Sequence, residues 1–71
     1  MITTEAIKAL SWQDNTRVTE GEGRCLITVE VHPGRGPGQR FYTIRRGYGK
    51  VSLAHSPERA MTYVRQRRRV G

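Results

Sequence analysis

Eleven of the thirteen basic side chains in this 71-residue chain are arginines, and they are placed unevenly. The stretch Arg65-Gln66-Arg67-Arg68-Arg69 puts four guanidinium groups into five positions. The stretch Arg40-Phe41-Tyr42-Thr43-Ile44-Arg45-Arg46-Gly47-Tyr48-Gly49-Lys50 interleaves cations with aromatic rings. A guanidinium pairs as a planar fork with phosphate or carboxylate and stacks on bases. An aromatic ring offers a face on which bases stack. Together these residue types point to contact with a polyanion. Arg65, Arg67, Arg68 and Arg69 are expected to lie along a phosphate backbone or in an RNA groove, with Arg40, Arg45, Arg46, Tyr48 and Lys50 as a second contact. Tyr48, between two glycines, is expected to be exposed. Phe41 and Tyr42 are strand formers whose first role is the core.

Other chemistries find no support in the spacing. A nucleophile needs a base within reach and a group to orient it. The chain offers Cys25, His32 and His55 with scattered carboxylates and no paired CxxC or HxxxH spacing. That set is too small for zinc, which takes three or four protein ligands. Cys25 is expected as a small buried hydrophobe. Gly34-Arg35-Gly36-Pro37-Gly38 joins two strands and lacks the Lys-Ser/Thr ending of a phosphate-cradling loop. It reads as an exposed, mobile basic loop. The expectation is a non-enzymatic protein with no cofactor, no metal and no small-molecule substrate.

Charge sorts along the chain. Residues 1–34 carry three cations and five carboxylates, and residues 35–71 carry ten cations and one carboxylate, Glu58, for a net charge of +7. A field of one sign attracts polyanions and speeds encounter with them. The length allows one small domain, residues 1–71, with a thin core and with residues 1–15 and 65–71 as flexible ends. A lone cysteine excludes a disulfide scaffold, and no apolar run is long enough for a membrane span. The expected setting is a cytoplasm, bacterial or phage-infected.

The elements that must carry these groups follow from pattern. Thr3 or Thr4 can cap a short helix in which Ile7 and Leu10 share a face. Arg17–Glu20 and Arg24–His32 read as two strands of a hairpin across Gly21-Glu22-Gly23, with Cys25, Ile27, Val29 and Val31 inward. Gln39–Arg46 is a further strand, and Lys50–His55 another, with Val51 and Leu53 inward. Ser56-Pro57-Glu58-Arg59-Ala60 is a helix start: a capping serine, a proline at the first position and an acid at the positive end. That helix is expected to run to about Arg69, with Ala60, Met61, Tyr63 and Val64 as its apolar stripe. The fold class is α+β: a small antiparallel sheet of three or four strands in a meander, packed by the C-terminal helix, with a short or frayed N-terminal helix.

In pattern, the segment from Cys25 to Arg68 with its Ser56-Pro57-Glu58-Arg59-Ala60 helix start resembles the three-stranded sheet plus helix at the N-terminus of phage-type integrases, which reads DNA with its sheet. The α-β-β-β-α order also resembles that of double-stranded RNA-binding domains. There a Lys-rich run opens the last helix, where this chain has Ser56-Pro57-Glu58-Arg59. Neither pattern contains a diagnostic motif. The leading expectation is a basic binding protein that docks on nucleic acid, or on an acidic surface of a nucleic-acid-handling complex, and regulates transcription. The alternative is a phage-type inhibitor that disables a host enzyme such as RNA polymerase by protein–protein contact. Ile7, Leu10 and Trp12 would be its contact residues, because tryptophan is enriched at interface hot spots.

Overall fold

Alternation of apolar and polar residues produces the central strand of the sheet. In the computed structural model, which describes residues 1–11, 13, 14 and 16–66, strand β2 (Ile27–Pro33) buries Ile27, Val29 and Val31 and turns Thr28, Glu30 and His32 to the other face. Strand β1 (Arg17–Glu20) pairs with it on one side and β3 (Arg40–Arg46) on the other, and β4 (Val51–Ala54) pairs with β3. All pairings are antiparallel, in the order β1-β2-β3-β4, so the sheet is a meander. Helices α1 (Thr4–Lys8) and α2 (Pro57–Arg65) lie on one face. Ile2, Ile7 and Leu10 from the first segment and Ala60, Met61 and Val64 from α2 close over Ile27, Val29, Val31, Tyr42, Ile44 and Ala54. Both caps form as expected: Thr3 Oγ1 accepts from the Ala6 amide at 3.1 Å and Ser56 Oγ from the Arg59 amide at 3.0 Å.

Several expectations are corrected. The opening segment, expected as a loose end, is docked through Ile2, Ile7 and Leu10, all buried. Ile7 and Leu10 are therefore core residues and present no surface to a partner; Trp12 lies outside the described residues. Cys25 is not in a strand. It ends a single 3-10 turn (Gly23–Cys25) and is exposed. The cause is Gly21 and Gly23, both at positive φ, which fold the link into a tight turn and delay β2 to Ile27.

Val51 and Leu53 face outward, 47% and 51% exposed. Register decides this. Tyr42 and Ile44 point to the core, so their partners Ala54 and Ser52 share that face, while Val51 follows Arg45 and Leu53 follows Thr43 to the other. The chain passes from β4 into α2 within two residues, so α2 folds back over β4, where small side chains permit close approach. Helix α2 stops at Arg65, and Gln66 is already extended (φ −64°, ψ 125°). Of the four clustered arginines, Arg65 is in the helix, and Arg67, Arg68 and Arg69 lie outside the described residues. The glycine loop after β2 is a closed turn. Gly34 donates to the Gln39 carbonyl at 2.7 Å, and Gln39 to that of Gly36 at 3.0 Å.

Candidate nucleic-acid interface

The β3–β4 turn is held by backbone contacts before any side chain is considered. Gly47 sits at φ +58°, donates to the Leu26 carbonyl at 2.6 Å, and lies so close to the Arg24 carbonyl that a Cβ would stand 2.5 Å from it. Gly49 closes the turn on the Arg46 carbonyl at 3.0 Å. These contacts press the 3-10 turn carrying Arg24 against the turn carrying Tyr48. Tyr48 is 95% exposed at the tip.

Arg46 has a different role from the one its sequence context implies. It shares the core-side face of β3 with Tyr42 and Ile44, and its Nη2 reaches the C-terminus of α2. There it donates to the carbonyls of Tyr63 (3.2 Å), Val64 (3.1 Å) and Gln66 (2.6 Å). The end of a helix leaves carbonyls without partners and carries partial negative charge, so a buried-side cation satisfies both. Arg46 thus ties the last turn of α2 to β3 and is spent on structure.

The remaining cations at this end are Arg24, Arg45 and Lys50, all exposed. Arg24, Arg46, Lys50, Ser52, Tyr63 and Gln66 line a shallow recess with no carboxylate in its wall. The chain leaves α2 at Gln66 beside this recess, and Arg67, Arg68 and Arg69 follow directly in sequence. Tertiary structure therefore brings Arg45, Tyr48 and Lys50 to the end from which the arginine run departs. It adds Arg24, which reads in the sequence as an unremarked strand start. Arg65 is exposed beside Met1, Ile2 and Glu20. Arg40 is separate: it opens β3 at the opposite end, roughly 20 Å from Arg46 along the strand.

Carboxylates largely have other partners. Glu20 accepts from the Ile2 amide. Glu58 pairs with Lys8 at 3.3 Å, linking the two helices. Its own backbone amide and then Lys8 hold its carboxyl below the ordinary glutamate value of 4.5. Glu30 stands directly across from Arg17 on the helix-free face, and Glu22 is exposed next to the 3-10 turn. On that same open face His32 Nε2 lies 2.9 Å from Thr43 Oγ1, and its ring stacks on Phe41 with centroids 5.0 Å apart. Phe41 is thus half-buried on the open face, while Tyr42 alone of the pair enters the core. Among the described residues, no group of three His, Cys, Asp or Glu side chains comes together as a metal site, and no helix is long and apolar enough to cross a membrane. Comparison with protein families, curated proteins and solved structures finds no match for the chain.

Proposed function

We propose that this chain is a small non-enzymatic binding protein that docks through its basic end on nucleic acid and so regulates transcription. The observation that supports it is the gathering of exposed Arg24, Arg45, Tyr48 and Lys50 at the end where α2 terminates, with Arg24 and Lys50 on a recess whose lining has no carboxylate. Arg46 holds that end in shape and leaves the exposed cations to engage phosphates. The test is a salt titration of binding to labelled DNA and RNA. Each lost phosphate contact lowers the slope of log K against log salt by about 0.7–0.9, so the triple change Arg24→Ala, Arg45→Ala, Lys50→Ala is expected to lower it by about 2 to 3. Unchanged affinity and slope in that variant would overturn the proposal.

A second reading, a protein–protein inhibitor of an enzyme such as RNA polymerase, has one observation in its favour. β4 is an edge strand with no charged residue and with Val51 and Leu53 exposed, which is the kind of edge that accepts a partner strand. Retained target binding in a Val51→Lys, Leu53→Lys double variant would count against it.

A further inference from the structure

At the end of the sheet opposite the basic recess lies an open cleft of about 970 Å³. Phe41 and Leu53 are apolar parts of its wall, and Arg35, Gln39, Arg40 and His55 contribute polar groups. Its lining includes no carboxylate. We propose that this cleft takes an unpaired nucleobase of a single-stranded nucleic acid, stacked on Phe41 beside Leu53, with Arg40 and Arg35 on the adjoining phosphates. The inference rests on the nucleic-acid reading above and narrows it to single strands.

Three features favour that occupant. Phe41 is oriented in advance: His32 stacks on it at 5.0 Å and is itself held by Thr43 at 2.9 Å, so little side-chain freedom is lost on binding. A half-buried ring at a cleft wall beside guanidinium groups suits a base with its phosphate, and such stacking tolerates any base. A base paired within a duplex keeps its face stacked on its neighbours, so only an unpaired base can lie on Phe41. The strand β3 then runs from this cleft, with Arg40 at its start, to Arg45 and the Tyr48 turn, offering cations at both ends of the strand. The glycine turn helps shape the cleft. Gln39 Oε1 accepts from the Gly36 amide at 3.2 Å, which keeps the Arg35 loop folded against the start of β3.

The test compares fluorescein-labelled oligothymidylate and oligouridylate of about 8 nucleotides with a duplex of equal length, at physiological salt. The wild-type protein is expected to prefer the single strands, and the two oligomers separate DNA from RNA. Phe41→Leu is expected to weaken single-strand binding about 5- to 150-fold with the salt slope unchanged, the loss of one base–aromatic stack. Arg40→Ala should lower the single-strand slope by about 0.7. Should Phe41→Leu fail to fold, the exposed-site changes Arg40→Ala and Leu53→Ser decide, with circular dichroism melting as the check on folding. Equal affinity for duplex and single strand, or variants that bind single strands as the wild type does, would overturn the cleft while leaving the basic-end reading intact. Absence of binding to every probe would remove both.

Discussion

Arg46 and Gly47 are adjacent residues that hold the basic end in shape. One guanidinium nitrogen serves three carbonyls at the end of α2. Hydrogen bonds from charged groups contribute more than neutral ones, so Arg46→Ala is expected to cost about 2 kcal/mol, read as a lower urea midpoint. Gly47→Ala is expected to be destabilising by about 1–3 kcal/mol, since it forces a side chain into a left-handed backbone and against the Arg24 carbonyl. Arg45→Ala, by contrast, should leave stability within about 0.5 kcal/mol of wild type, as an exposed surface change. If Arg45→Ala and Arg46→Ala had equal melting points, the division of labour between these neighbours would be wrong. Glu58 adds a pH signature. Its folded-state pKa lies below its unfolded one, so its contribution to stability is present above the ordinary carboxylate range and is lost as pH falls through the folded pKa. The gap in melting temperature between wild type and Glu58→Gln should close on acidification.

The helices and strands depend on each other more than on their own propensities. A helix of five residues is too short to persist alone in water, and α1 is kept by Thr3 at its start and by Ile7 and Leu10 in the core. Ile7→Ala is expected to cost about 2–5 kcal/mol, the range for truncating a buried aliphatic side chain. A variant that kept wild-type stability while losing a partner would restore α1 as a contact surface. Ser56→Ala should cost about 1 kcal/mol, because it frees the Arg59 amide at the start of α2. Denaturant unfolding of both variants tests whether α1 and α2 belong to one cooperative unit, as their shared core requires.

For the whole molecule, the layout puts the core on one face of the sheet and leaves the other face uncovered. The two helices cover one face of the sheet, leaving the other with Phe41, Thr43, Arg45, Val51 and Leu53 across its last two strands. One end gathers Arg24, Arg45 and Lys50, and the other Arg35 and Arg40. A partner lying along β3 would meet cations at both ends and an aromatic ring between them. Binding should accordingly weaken steeply as salt rises from low to physiological levels, and variants at the two ends, too distant to share a partner atom, should lower affinity additively.

Composition, periodicity and capping signals determined the α+β class, the existence of the two helices and their starts, and the alternation that buries Val29 and Val31. These are local properties: a cap needs only its own next turn, and a strand's two faces follow from a two-residue repeat. The uneven charge and the exposure of Tyr48 between two glycines were legible for the same reason. What only the tertiary structure decided is which face each strand offers and what each cation does. Val51 and Leu53 look like core residues until the register with β3 sends them outward. Arg45 and Arg46 are identical in type and adjacent in sequence, yet the pleat directs one to solvent and the other to the end of a helix seventeen to twenty residues later. No local signal separates them, because the carbonyls that claim Arg46 exist only once α2 has packed over β3.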